Sequence, residues 1–216
     1  MKRIIKLLAV VTTLIITLMA LTACGDSKNE TSSKEQSTES NVSNPVEEQS
    51  SSSTKFIDDN ESYYFIYDGV KIKAGDEMSS ISSANLSVRD TQREKEINSK
   101  SYSTIEITNA KDTSVFNATA YNKDSSTVTV LDSWVGGLHV DTRGVSRDEK
   151  VADMEVYGGI KVGSTIEELK SVFGEPDEES SSDDEYVYES KEVSRYYRFD
   201  IKDGKVTGIT WMNRTF

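Results

Sequence analysis

The apolar residues of segment 161–176 (KVGSTIEELKSVFGEP) recur with the period of a helix. The residues that share one helical face are Ile166, Leu169 and Phe173. Ser164, followed three residues later by Glu167, has the spacing of a capping box. Gly174 and Pro176 are typical helix terminators. The pattern predicts an amphipathic helix whose apolar stripe packs on another element.

Alternation of apolar and polar residues predicts antiparallel strands after this helix, at 186–189, 193–201 and 205–212. The tetrapeptide KDGK, residues 202–205, is a hairpin turn signal between the last two strands. Earlier in the chain, strand-like runs separated by turn-rich residues occupy 103–108, 115–121 and 127–131.

Two short matches suggest an internal repeat. Residues 67–71 (YDGVK) resemble 157–161 (YGGIK), and 74–78 (AGDEM) correspond to 162–166 (VGSTI). Chance similarity between short segments is the alternative explanation.

The repeat predicts a second, short helix in the first half, with Asp76 as its cap and Met78 and Ile81 facing inward. We therefore predict an α+β fold of two helix-plus-antiparallel-sheet repeats, one over residues 56–140 and the other over 141–216.

A basic start and an uncharged apolar run, residues 7–23, precede Cys24, the only cysteine of the chain. This order is typical of a signal peptide, here residues 1–23, with cleavage between Ala23 and Cys24. The alternative is an uncleaved membrane helix at the short end of the spanning range. Residues 24–55 are mostly Ser, Thr, Glu, Gln and Asn, which predicts a disordered tether.

Residues 21–24 (LTAC) resemble the lipobox of bacterial lipoproteins. The resemblance implies that a diacylglyceryl group is attached to Cys24 and anchors the chain to the outer face of the cell membrane. With its only thiol in the anchor, the exported part has neither a disulfide nor a free thiol for catalysis.

Residues 159–176 resemble the helix motif of the SmpA/OmlA-type (BamE-like) lipoproteins and of the related β-lactamase-inhibitor-protein-like fold. The match covers about the last 60 residues of the chain. It implies a protein-binding or envelope-associated module. The long Ser-rich tether is more similar to Gram-positive surface lipoproteins, so the resemblance implies no role in outer-membrane assembly.

The chain carries 37 acidic and 25 basic residues, a net charge of −12, which disfavours nucleic acid as a partner. His139 is the only histidine, and no Gly-x-Ser-x-Gly turn accompanies it, so we predict no nucleophilic triad. One histidine and one cysteine exclude the usual zinc sites. The acidic stretch 177–185 lacks the spacing of a calcium loop, and we predict neither a metal nor a cofactor.

Aromatic residues on the predicted strands are the remaining candidates for binding. The predicted exposed face consists of Tyr186, Tyr188, Tyr196 and Trp211. Ordinary packing is the alternative, because aromatic residues favour strands.

These observations predict a non-enzymatic surface lipoprotein that binds an extracellular or cell-envelope protein. The alternatives are a lipoprotein that binds or senses a small solute and presents it to a membrane complex, and an envelope hydrolase acting through His139.

Overall fold

A computed structural model describes residues 56–141, 148–191 and 194–216. Ala23, Cys24, the predicted signal peptide and the predicted tether lie outside these residues. The cleaved signal, the lipid anchor and the tether therefore stay predictions.

Strands dominate the described residues. They are β1 (Tyr64–Tyr67), β2 (Val70–Lys73), β3 (Leu86–Val88), β4 (Glu96–Ile97), β5 (Tyr102–Asn109), β6 (Ser114–Tyr121), β7 (Val128–Thr129), β8 (Trp134–Asp141), β9 (Glu155–Val156), β10 (Glu185–Glu189), β11 (Arg195–Lys202) and β12 (Lys205–Asn213). The α-helix within the described residues is α1 (Ile166–Phe173). Short 3-10 segments occupy Asn60–Ser62, Met78–Ala84, Asp90–Gln92, Glu149–Asp153 and Tyr157–Gly159. No helix in the described ranges is both long and apolar enough to cross a bilayer.

The strands form three antiparallel sheets. The large sheet has the order β10-β11-β12-β8-β6-β5-β3, the small sheet has the order β2-β1-β9, and β4 pairs with β7. The central strand of the large sheet is β8, which pairs with β6 on one side and with β12 on the other. The pairing of β8 with β12 joins strands from both halves of the chain into one sheet.

One face of the large sheet carries the core. Paired residues of adjacent strands place one buried row across this face: Ile105, Ala118, Leu138, Trp211, Tyr197 and Tyr188. The small sheet covers part of the row, since Phe65 lies 5.1 Å from Phe116 between ring centroids. Helix α1 covers the rest with Phe173, whose ring lies 5.0 Å from that of Tyr197.

The helix predicted from the apolar pattern is present as α1, but its cap differs from the prediction. Thr165 is the N-cap, and its hydroxyl accepts a hydrogen bond from the Glu168 amide, while the Glu168 carboxylate accepts one from the Thr165 amide. Ser164 instead accepts a hydrogen bond from the Lys161 amide in the preceding turn. The capping box is therefore one residue later than predicted.

The predicted strands after the helix are confirmed as β10, β11 and β12. The turn between β11 and β12 has positive φ at Asp203 (51°) and Gly204 (73°), as a two-residue hairpin loop requires. In the first half, β5 and β6 match the predicted runs, whereas only two residues of the run 127–131 form a strand, β7.

The predicted fold class is wrong: the described chain is mostly antiparallel β-sheet and is not built of helix-plus-sheet repeats. The segment predicted as the first helix is a 3-10 segment, Met78–Ala84, although Met78 and Ile81 are buried as expected. Its serines explain the difference, because the hydroxyls of Ser82 and Ser83 donate hydrogen bonds to backbone carbonyls three residues earlier. Such bonds compete with regular helix formation.

A turn does recur in the two halves. The Gly75 amide donates to the Val135 carbonyl at 2.9 Å, and the Gly163 amide donates to the Val206 carbonyl at 2.8 Å. Each valine amide in turn donates to the residue after the glycine, Asp76 or Ser164. The two short sequence matches therefore coincide with turns of the same kind. One turn hydrogen-bonds to the start of β8, and the other hydrogen-bonds to the start of β12.

The Gly-rich segment WVGGLHVD forms β8, in the middle of the large sheet. A Cβ atom on Gly137 would lie 2.8 Å from the carbonyl oxygen of Trp211, and one on Gly136 would lie 2.8 Å from Cβ of Tyr121. Both positions are closer than real Cβ contacts, so the two glycines let β8 approach its neighbours.

We predict that Phe173→Ala lowers the free energy of unfolding by about 3–5 kcal/mol in urea denaturation, because it leaves a cavity among packed rings. The ring of Phe173 contacts five other aromatic rings. Two lie outside the large sheet and three belong to it: Phe56, Tyr157, Tyr188, Tyr197 and Phe199. The control is Ser171→Ala, at an exposed position of the same helix. A loss equal to that of the control would contradict the assigned core.

Candidate binding surface

The face of the large sheet opposite the core, here called the open face, carries half-buried and exposed polar side chains. One row of paired residues crosses five strands of it: Glu106, Asn117, His139, Thr210 and Arg198. Because side chains alternate between the two faces of a strand, this row alternates with the buried core row. The large sheet thus separates an apolar core from a polar surface.

His139 lies in the middle of the open face. Its Nδ1 atom is 2.7 Å from Oγ1 of Thr210, its cross-strand partner. No serine hydroxyl in the described ranges hydrogen-bonds His139. The geometry assigns His139 to a cross-strand hydrogen bond on the surface.

Three aromatic residues lie side by side at one end of the open face. Tyr102 pairs with Tyr121 across β5 and β6, and Tyr121 pairs with Trp134 across β6 and β8. We call Tyr102, Tyr121 and Trp134 the aromatic row. Tyr102 is 51% exposed, and the other two are half-buried. Phe216 adds a fourth ring, edge-on to Tyr121 at 5.9 Å between centroids.

Two cations lie on these rings. The guanidinium of Arg214 lies 4.6 Å from the ring centroid of Tyr102, and the ammonium of Lys123 lies 4.5 Å from that of Trp134. Lys123 also lies 5.6 Å from the centroid of Phe216. Tyr, Trp and Arg are the residue types most enriched at the energetic centres of protein interfaces. This end of the open face therefore has the composition of a protein-binding surface.

The predicted binding face needs correction, because Trp211 is 0% exposed and Tyr188 is 4% exposed. Both belong to the core row, and the Tyr188 hydroxyl donates a hydrogen bond to the Gly174 carbonyl. Tyr186 pairs with Phe199, also on the core side, and is half-buried. Tyr196 is the one predicted residue that lies on the open face, where it pairs with Met212.

The aromatic row was missed because its members stand at strand ends and in the Gly-rich segment. A signal for part of it was present in the sequence. Alternation within β5 places Tyr102 on the face opposite Ile105 and Ile107, but the register shift between Ile107 and Thr108 prevents its partner Tyr121 from being found by counting from the turn.

A cleft of about 550 Å³ lies apart from the open face, at the rim of the core. Asp148 lines the cleft, and its Oδ2 accepts hydrogen bonds from the Tyr67 hydroxyl at 2.9 Å and the Asn109 amide at 2.7 Å. Oδ1 accepts a hydrogen bond from the Lys150 amide at 2.9 Å. Lys150 also forms an ion pair with Asp68 at 2.6 Å. The polar groups of the cleft thus already bond to one another.

Burial raises the pKa of Asp148, but the hydrogen bonds from Asn109, the Lys150 amide and Tyr67 outweigh burial and hold the pKa below its ordinary value. Burial, with help from the hydrogen bond to Asp148, raises the pKa of the Tyr67 hydroxyl. The carboxylate is therefore ionised and the phenol neutral over the usual pH range.

The acidic stretch after α1 protects the edge of the large sheet. The Asp177 carboxylate accepts a hydrogen bond from the Glu189 amide, and Ser181 Oγ accepts one from the Val187 amide. The Asp177 amide donates to the Val187 carbonyl. These bonds occupy groups of β10 that another strand would otherwise pair with.

No family model matches the chain, and neither a curated protein nor a solved structure matches it. The resemblance to envelope lipoproteins therefore stays a prediction, and the function is inferred from the sequence and the surfaces described above.

We predict that Asp148→Asn lowers the free energy of unfolding by about 1–3 kcal/mol at neutral pH, because three hydrogen bonds lose a charged acceptor. A lowered folded-state pKa stabilises the fold above the unfolded-state pKa, and this contribution is lost as the pH falls through the folded-state pKa. The difference from the wild type should therefore shrink below about pH 4 in urea denaturation. Asp153→Asn, at an exposed side chain, is the control. A difference that stays constant down to acidic pH would contradict the assignment.

Proposed function

We propose that the chain is a lipid-anchored extracytoplasmic binding protein, not an enzyme, which recognises a protein partner through the open face. The observation that carries the proposal is the aromatic row with its two cations on an otherwise polar sheet face. Rigid aromatic side chains supply large contact areas at a low entropic cost, since few of their torsions are free.

The lipobox-like residues 21–24 support the proposed location, the outer face of a Gram-positive cell membrane. A diacylglyceryl group on Cys24 would supply two acyl chains, which is enough for stable anchoring. The polar composition of residues 24–55 supports a tether that holds the binding domain away from the lipid surface.

A small-solute-binding lipoprotein is the second candidate, and the cleft around Asp148 is the observation that favours it. The cleft ranks second because its carboxylate, phenol and amide groups already satisfy one another, as described above. A thermal shift that small solutes cause in the wild type but not in Asn109→Ala would reverse this order.

We predict that Cys24→Ala abolishes maturation, because lipidation and cleavage both require the cysteine thiol. The variant should keep the mass of the unprocessed precursor, as measured by mass spectrometry of the membrane fraction. Ser27→Ala, in the predicted tether, is the control and should mature normally. A Cys24→Ala protein of mature mass that stays in the membrane would contradict the anchor.

We predict that the full-length protein cross-links to one envelope protein of its source and that Thr104→Arg abolishes the capture. Thr104 is exposed on the open face, where an arginine obstructs close approach. Ser83→Arg is the control, because Ser83 is exposed on the 3-10 segment that packs at the core side. Equal capture by both variants, measured by quantitative mass spectrometry, would overturn the open face as the recognition surface.

A further inference from the structure

Lys123 and Arg214 have no acidic partner among the residues that the structure describes, although acidic residues outnumber basic ones in this chain. Several other cations of the described residues form ion pairs with nearby carboxylates. Lys73 pairs with Glu61, Arg89 with Glu106, and Lys170 with Glu175. The end of the open face that carries the aromatic row is therefore a local positive site on an acidic protein.

Of the two cations, Arg214 gives the more specific evidence for a ligand. Its Nε atom is buried and makes no hydrogen bond within the described residues. A buried donor without an acceptor costs about 1–3 kcal/mol. The terminal nitrogens Nη1 and Nη2 are not buried and also make no hydrogen bond within the described residues, and a carboxylate matches them with two parallel hydrogen bonds. The acceptor that fits the reachable end of Arg214 is thus of a defined chemical kind.

We propose that Arg214 binds a glutamate or aspartate side chain of the partner protein, that Lys123 at the other end of the aromatic row adds to the positive potential there, and that the row packs against that residue's neighbours. This inference rests on the proposed function and names the chemistry of the partner segment. Tyr102 is the most exposed ring and lies under Arg214, so it contacts the residue next to the bound carboxylate.

The geometry favours a short extended segment over a bulky anion. The aromatic row crosses three neighbouring strands, which spans about 10 Å, or about three extended residues. A long polyanion extending beyond this patch would meet the surface of a chain whose net charge is −12. A single carboxylate flanked by apolar or aromatic residues satisfies both constraints.

The chain itself supplies a reporter for this site. It contains two tryptophans, of which Trp134 lies in the aromatic row and Trp211 is 0% exposed in the core. Quenching of tryptophan fluorescence by small solutes therefore reports the exposure of Trp134.

The test titrates the full-length protein in detergent with an acetylated, amidated peptide that alternates glutamate and tyrosine. The matched probe has glutamine in place of each glutamate. We expect the glutamate peptide to protect Trp134 from quenching and to bind about tenfold more tightly than the glutamine peptide. Arg214→Met should remove this preference and Lys123→Met should weaken it, whereas Lys111→Met, at the exposed turn between β5 and β6, should retain it.

Equal binding of the two peptides, no protection of Trp134 by either, or a preference that survives Arg214→Met would overturn the proposal. The capture experiment separates this failure from that of the proposed function. Capture that Thr104→Arg abolishes but Arg214→Met leaves intact supports the open face and rejects the carboxylate site. Capture that Thr104→Arg leaves unchanged rejects the open face as the recognition surface, whatever the result of the peptide titration.

Discussion

The pairing of β8 with β12 is the interaction on which the rest of the structure depends. It joins strands that are far apart in sequence into one large sheet with one core face and one open face. The pairing requires glycine at residue 137, because any side chain there would collide with the carbonyl oxygen of Trp211. A backbone contact of β8 thus determines both where the aromatic core forms and where the surface of the protein stays polar.

The same pairing explains how the candidate binding surface is assembled. Lys123 follows the end of β6 and Arg214 follows the end of β12, and both strands are neighbours of β8. The two cations come from distant parts of the chain, yet both lie on rings held by ordered strands. Strands give a more precise geometry than loops, since their side chains are held by packing on both sides. By contrast, the polar groups of the Asp148 cleft are engaged with one another and contribute mainly to stability.

Local features of the sequence were predicted well, and features that depend on tertiary context were not. The helix α1 and the hairpin at Asp203 and Gly204 are encoded within a few residues, so their patterns were sufficient. Alternation showed which residues share a strand face, but not which face another layer covers, and this is why Trp211 was placed at the surface. The segment Met78–Ala84 is a 3-10 segment and not the expected helix, because its serine hydroxyls bond to the backbone. The glycines of β8 gave no strand signal in the sequence, although β8 is the central strand. The aromatic row required the register of three strands, which sequence periodicity alone does not supply.

The order of the strands in the large sheet has a consequence for synthesis. β5, β6 and β8 pair as neighbours, and only the two-residue strand β7 lies between β6 and β8 in the chain, so this part of the sheet is able to form as soon as residue 141 has emerged. The other edge of β8 stays unpaired until residues 205–213, the last strand of the described ranges, are present. During that interval a strand of eight residues, with Val135, Leu138 and Val140 on its apolar side, has an unpaired edge. Unpaired edges of this kind recruit other chains, so the interval before β12 pairs with β8 is the stage at which the molecule is most open to misassembly.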